Sequence, residues 1–122
     1  MTKEEMKELG LCHVDNYMYS STQENLRSAI NYAEMAIDRT MRYMILKQNP
    51  NFAFNLDDSF KTSESYIEDA KRLLDAAYNE KVPYDKDFRL SLSQKLRRTE
   101  TRLSYLREIE SLMNKKEELA VA

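Results

Sequence analysis

The chain has 122 residues, a length that suits one domain, and 19 Lys and Arg against 21 Asp and Glu leave a formal net charge of -2. It contains one Gly, two Pro, one Cys and no Trp. Phosphate-binding loops, dinucleotide-binding turns and nucleophile elbows each need glycines, so the composition argues against these enzyme classes. With 42% apolar and 33% charged residues, it favours a folded, all-α domain.

The same counts indicate a compartment. One Cys cannot form an internal disulfide, and the sequence shows no leader with a basic start and an apolar stretch. No apolar run approaches the roughly 20 residues that cross a bilayer. We therefore expect a cytoplasmic protein without a membrane partner, and the negative net charge gives no global attraction to nucleic acid.

The first twenty residues predict a short helix and a connector. Thr2 to Glu5 (T-K-E-E) has the form of a capping box, which begins a helix that runs to Leu9. Gly10 lies where a left-handed residue would stop that helix. The following residues, 11–20, show no sustained helical period and predict an irregular connector.

Two long helices follow. A second capping signal at Ser21 to Glu24 begins the first, and Pro50 ends it. Asn55 is a good N-cap for the second, which runs through Tyr78. Their apolar and small residues recur at steps of three and four, as Leu26, Ile30, Ala33, Ile37, Thr40 and Met44 in the first and Phe60, Ser63, Ile67, Ala70, Leu74 and Ala77 in the second.

Beyond Pro83, Asp85 or Asp87 can cap a third long helix of more than about 30 residues. The sequence thus predicts an all-α fold, an antiparallel bundle of three long helices plus a short N-terminal helix. Residues 1–20 form the short helix and connector, and residues 21–122 form the bundle. The seam of the third helix consists of Leu92, Leu96, Thr99, Leu103, Leu106 and Met113, broadened by Ile109 and Leu112.

The first helix has a wider stripe than the others. Because a lone bundle of this size is marginally stable, we predict self-association that buries this wide face. Met41 and Met44 are therefore candidate interface residues. The residues that widen the stripe are Ala29, Ala36, Met41 and Ile45.

The only histidine, His13, follows the only cysteine, Cys12. Adjacent residues of an extended segment point to opposite sides, and no third group nearby would orient them. We interpret the pair as a half-buried Cys with a surface His, and we expect no catalytic residue and no enzyme activity. One histidine also disfavours di-iron and closed zinc sites, so we expect no metal, no cofactor and no small-molecule substrate.

The strongest local charge lies in the third helix, where six basic residues stand with one acid, Glu100. One interpretation is that they pair with Glu64, Glu68, Asp69 and Asp75 of the neighbouring helix. The other is that they bind nucleic acid or an acidic partner, since Arg suits phosphates and carboxylates. The six residues are Arg89, Lys95, Arg97, Arg98, Arg102 and Arg107.

Aromatic residues mark two further places. Tyr17, Met18 and Tyr19 in the connector either fold back onto the bundle or form an exposed anchor for another protein, and these two alternatives are evenly weighted. Phe52 and Phe54, after Pro50, are predicted to plug one end of the bundle instead.

The stretch from Thr40 to Arg107 resembles the accessory variability (Avd-like) proteins of diversity-generating retroelements. The resemblance implies a four-helix bundle that forms a homopentamer and binds RNA and a reverse transcriptase through a basic surface. The residues that carry it are Pro50, Phe54 and Leu56 in the turn, Leu74, Ala76 and Tyr78 at the end of the second helix, and Leu92, Leu96, Arg97 and Arg102 in the third.

Together these observations predict a non-enzymatic accessory protein that self-associates and binds a larger protein partner. The resemblance implies, as a candidate for that partner, a reverse transcriptase or another nucleic-acid-processing complex reached through the basic third helix. The alternative is a phage or plasmid adaptor or inhibitor that acts by protein contact alone, without nucleic acid.

Overall fold

The computed structural model of the protein describes residues 1–18, 21–47, 55–79 and 86–121. No β-strand occurs in these ranges, which confirms the all-α prediction with three long helices and a short N-terminal one. The predicted roles of Phe52, Phe54 and Asp85 lie outside the described residues. The helices are α1 (Lys3–Glu8), α2 (Thr22–Leu46), α3 (Leu56–Asn79) and α4 (Lys86–Val121), with a 3-10 turn at Val14–Asn16.

Side chains cap the helices where the sequence predicts. The Thr2 hydroxyl accepts a hydrogen bond from the Glu5 amide at 3.2 Å, and the Glu5 carboxylate accepts one from the Thr2 amide at 3.3 Å. Ser21 Oγ accepts from the Glu24 amide at 3.2 Å, and Asn55 Oδ1 accepts from the Asp58 amide at 3.2 Å. Each cap satisfies an amide that has no partner inside its helix.

Gly10 ends the N-terminal helix in the left-handed region, with φ of +79°. The Arg72 guanidinium of α3 covers this turn and donates to the carbonyl oxygens of Leu9 at 3.0 Å and Gly10 at 2.8 Å. A Cβ on Gly10 would contact Arg72 Nη1, so the guanidinium would have to move. The backbone conformation of the turn therefore requires glycine, and a larger residue would also displace Arg72.

The core lies mainly between α2 and α3. The predicted stripe of α2 is fully buried, so the chain itself covers most of the wide face that self-association was predicted to bury. On α3, Leu73 is buried and the predicted Leu74 is only half-buried against the core. Thr40 joins the two helices through a 2.7 Å contact between its hydroxyl and that of Ser59.

Cross-helix contacts fix the register. Between α2 and α3 the pairs run in opposite residue order, since the Tyr32 ring stacks on Tyr66 while Thr40 contacts Ser59. Between α2 and α4 they run in the same order, from Glu34 with Lys95 to Asp38 with Arg102 and then Lys47 with Asn114.

The fourth helix reaches beyond the other two. Its 36 residues span about 54 Å, whereas the 25 residues of α2 and the 24 of α3 span about 36 to 38 Å. The N-terminal segment packs on the same core, to which it contributes Met6, Leu11 and Tyr17. None of the helices in the described ranges is long and apolar enough to cross a membrane.

Candidate functional site

An apolar groove runs between the C-terminal halves of α2 and α4. It has a volume of about 220 Å³. Apolar residues three and four positions apart lie on one side of a helix, so each helix contributes one wall. The lining residues are Met41, Met44 and Ile45 of α2 and Leu106, Ile109 and Met113 of α4.

Exposed apolar residues continue the groove onto the surface of α4. Tyr105 and Leu112 lie one turn on either side of Ile109 and are 62% and 64% exposed, while Ile45 across the groove is 67% exposed. Isolated exposed residues of this kind are normal, but a contiguous patch of a few hundred Å² marks an interaction site. We call the six groove residues, with Tyr105 and Leu112, the apolar face.

The N-terminal half of the same groove is polar, with a volume of about 340 Å³ and a lining of Glu34, Lys95, Arg98, Thr99 and Arg102. Lys95 Nζ donates to Asn31 Oδ1 at 3.2 Å and lies 3.8 Å from Glu34. Arg102 donates to Asp38. These α2 partners differ from the prediction, which paired the basic residues with acids of α3.

Arg107 forms one of the predicted pairs, with Glu64. Its guanidinium lies 2.8 Å from Glu64 and packs over the Phe60 ring at 4.1 Å. Arg89 packs over the Tyr78 ring at 5.1 Å. Among the residues that the structure describes, Arg97 and Arg98 are exposed and form no ion pair.

The acids predicted to pair with the basic helix behave differently from one another. Glu68 pairs within α3 with Lys71, which also lies 3.5 Å from Glu100 of α4. Asp75 forms no ion pair within the described ranges. Asp69 is fully buried and binds the N-terminal segment, so its predicted pairing with the basic helix is wrong.

Asp69 accepts three hydrogen bonds from the connector. The amides of Cys12 and His13 donate at 2.6 and 3.0 Å, and the Tyr17 hydroxyl donates at 2.8 Å. A buried carboxylate is tolerated only where donors replace its hydration, and three donors converge here. We call this group of four residues the Asp69 site.

The Asp69 site decides the question left open for Tyr17. The ring is only 5% exposed, so Tyr17 folds back and is not an exposed anchor. Burial raises the pKa of the Tyr17 hydroxyl, and its hydrogen bond to Asp69 raises that pKa further. Met18 is 82% exposed, Tyr19 lies outside the described residues, and Met41 and Met44 belong to the apolar face.

The interpretation of Cys12 and His13 needs correction. Cys12 is exposed rather than half-buried. His13 is half-buried, its ring stacks on Tyr66 at 3.8 Å, and its Nε2 lies 2.6 Å from Ser65 Oγ. Because Ser65 Oγ donates to a backbone carbonyl of its own helix, it accepts from His13 Nε2.

These contacts hold the connector in place. Desolvation raises the pKa of the Cys12 thiol, and the Asp69 charge raises it further, which lowers the thiolate fraction that a nucleophile needs.

Within residues 1–18, 21–47, 55–79 and 86–121, no group of three or more His, Cys, Asp and Glu side chains is arranged to hold a metal ion.

Comparison with protein-family models, with curated proteins and with solved structures gives no match to this chain. The resemblance to accessory variability proteins therefore stays a prediction. The function has to be inferred from the surfaces described above.

Proposed function

We propose that the protein is a non-enzymatic helical-bundle accessory protein that acts by binding another protein at the apolar face. The observation that carries this proposal is the contiguous exposure of Ile45, Tyr105 and Leu112 around an apolar groove. Aromatic residues and Met are enriched at the buried centres of protein interfaces, and this face contains Tyr105 with three Met residues.

The area of the face supports the proposal. Five of its eight side chains, Met41, Ile45, Tyr105, Ile109 and Leu112, are exposed, and functional apolar patches on monomers are typically about 300–600 Å². A standard interface buries about 800 Å² on each partner. The apolar face and the polar side chains around it therefore suit an interface of ordinary size.

The distribution of charge also favours protein over nucleic acid as the main partner. Lys95, Arg102 and Arg107 each face a carboxylate of α2 or α3, so a phosphate would have to compete with a partner already in place. Arg97 and Arg98 form no ion pair with any described residue, and they carry the second candidate function, contact with the nucleic acid of a reverse-transcriptase or similar complex.

Paired variants on one helix test the proposal. Ile109 in the apolar face and Leu90 far from it are 46% and 55% exposed, so Ile109→Glu and Leu90→Glu add the same charge at similar exposure. Tagged wild-type protein and both variants are recovered from the native cell, with and without nuclease. We expect a stoichiometric protein partner that Ile109→Glu loses and that Leu90→Glu and nuclease leave in place.

Two results would count against this function. Retention of the partner by Ile109→Glu, at wild-type stoichiometry, would move the interface away from the apolar face. Loss of the partner on nuclease treatment alone would favour the second candidate, in which nucleic acid bridges the two proteins.

A further inference from the structure

The apolar face is bordered mainly by cations. Arg42 lies one turn before Ile45 on α2, and Lys116 lies one turn after Leu112 on α4. Arg98 and Arg102 line the adjoining polar half of the groove. Lys47 crosses the far end, where it donates to Asn114 at 3.2 Å.

The acids near the face do not balance these cations. Three acids there lie in ion pairs, Asp38 with Arg102, Glu34 with Lys95 and Glu110 with Arg107. Glu108 and Glu117, each one turn from a residue of the face, form no ion pair with a described residue. The bordering cations that form no ion pair within the described ranges are Arg42, Lys47, Arg98, Lys115 and Lys116. Around the apolar face these cations therefore outnumber the acids by five to two, on a chain whose formal net charge is -2.

We infer that the partner segment bound by the apolar face is an acidic amphipathic helix. This inference rests on the proposed function and names the chemistry of its partner. A groove between two helices accepts a third helix through apolar anchors at positions i, i+3 or i+4, and i+7. From Leu106 to Met113 the groove floor spans two turns of α4, and acidic residues beside such anchors would meet Arg42 and Lys116.

Charge also distinguishes this helix from the competing occupants. In a twofold contact between two copies, the same surface faces itself, so the cations that border one copy of the face would lie near those of the other copy and repel them. Nucleic acid would place phosphates on the rim but would gain nothing from a floor of Ile, Leu and Met side chains. An acidic amphipathic helix would place carboxylates against the bordering cations and apolar side chains in the groove.

Two synthetic helical peptides of about 15 residues provide the probes. Both carry Leu at the anchor positions. One has Glu at the flanking positions, and the other has Lys at those same positions. Fluorescence anisotropy measures their binding to the full-length protein at low and high salt. We expect the acidic peptide to bind at least tenfold more tightly at low salt and the difference to shrink as salt screens the rim.

Reversing the charge of two cations that border the apolar face tests the inference from the side of the protein. The double variant Arg42→Glu with Lys116→Glu is expected to bind the basic peptide more tightly than the acidic one. Lys7→Glu with Arg27→Glu makes the same change in net charge at exposed positions away from the face and is expected to keep the wild-type preference. Circular dichroism confirms that each variant is folded, since all four positions are exposed.

Each remaining outcome has a definite meaning. Equal affinity for both peptides, a preference for the basic peptide, or no binding of the acidic peptide would overturn the inference. A dimer in sedimentation that Ile109→Glu dissociates would overturn it in favour of a second copy. If partner recovery from cells still depends on Ile109 in these cases, the proposed function stands and only the acidic helix fails.

Discussion

The Asp69 site and the apolar face differ in what each exposes to water: the first buries a charged group, and the second exposes apolar side chains. At the Asp69 site a charged group is fully buried, and two backbone amides and one hydroxyl replace its hydration. At the apolar face, side chains such as Ile45 and Leu112, which form no hydrogen bond with water, remain exposed to solvent. The first arrangement is complete within the chain, whereas under the proposed function a partner protein covers the second.

This contrast separates stability from function in the molecule. The Asp69 site joins the N-terminal segment to α3, and loss of the Asp69 carboxylate leaves three donors without their acceptor. The apolar face lies on α2 and α4, and a change at one of its exposed side chains removes few contacts within the chain. We therefore expect large effects on unfolding at one region and large effects on binding at the other.

The largest effect on stability is expected from Asp69→Ala. The change leaves the amides of Cys12 and His13 and the Tyr17 hydroxyl without their acceptor, and each orphaned buried group costs about 1–3 kcal/mol. Urea unfolding is expected to show a loss of about 3 kcal/mol or more. Asp75→Ala, on the same helix at an exposed position, serves as the control and is expected to change stability by less than about 0.5 kcal/mol.

The loss of stability in Asp69→Ala should be concentrated in the connector. In Asp69→Ala the amides around the connector should exchange with solvent faster, while partner binding at the apolar face is retained by the molecules that remain folded. A loss below about 1 kcal/mol would contradict the description of Asp69 as the acceptor that holds the connector.

The predictability of the two regions differs for a physical reason. Helix ends follow from local signals, and Thr2, Ser21 and Asn55 cap their helices as the sequence predicts. The partners of Asp69 lie 52 to 57 residues away in the chain, so no local pattern shows that this acid turns inward. Asp69 was therefore predicted to pair with the basic helix.

The apolar face was predictable only in part. Steps of three and four identified Met41, Ile45 and Ile109, because each helix carries its own periodicity. Which side of α4 faces α2 depends on tertiary contacts, and the sequence analysis placed the partners of its basic residues on α3. Asp38 and Tyr105 were missed for that reason.

Among the changes that affect the connector, Gly10→Ala is expected to have the second-largest effect, because it alters the other end of this segment. Alanine at a φ of +79° is strained, and its Cβ would displace Arg72 from two carbonyl oxygens. We expect a loss of about 2 kcal/mol in urea unfolding.

Measuring Arg72→Ala alone and together with Gly10→Ala divides that loss of stability between the clash with Arg72 and the backbone strain. If the clash with Arg72 matters, Gly10→Ala costs less in the Arg72→Ala background, and the remainder is the backbone strain. A neutral Gly10→Ala would show that the turn adopts another conformation.

Tyr17→Phe keeps the ring and removes the hydroxyl, and we expect a loss of about 1 kcal/mol at neutral pH. The pH dependence carries the sharper prediction. Burial and the bond to Asp69 raise the pKa of the Tyr17 hydroxyl in the folded state, so above about pH 10 the unfolded state releases its proton first. The contribution of this group to stability is thus present below pH 10 and declines above it.

Unfolding of wild type and Tyr17→Phe at pH 8 and pH 10.5 measures this contribution, because the other tyrosines are common to both proteins. We expect the stability difference between them to narrow at the higher pH. A difference that does not change with pH would mean that the Tyr17 hydroxyl titrates alike in the folded and unfolded states.

The smallest effect on stability is expected at the exposed side chains of the apolar face, and its size decides whether the contrast between the two regions holds. Leu106 and Leu112 belong to the same helix and the same face, but Leu106 is 7% exposed and Leu112 is 64% exposed. Leu106→Ala leaves a cavity and is expected to cost about 2–4 kcal/mol, whereas Leu112→Ala is expected to change stability by less than about 0.5 kcal/mol. Leu112→Ala should nevertheless weaken partner binding, because the area it removes is buried only in the complex. If Leu112→Ala instead destabilises the isolated chain as strongly as Leu106→Ala, its side chain is already covered in solution, and the apolar face is part of a core rather than a binding surface.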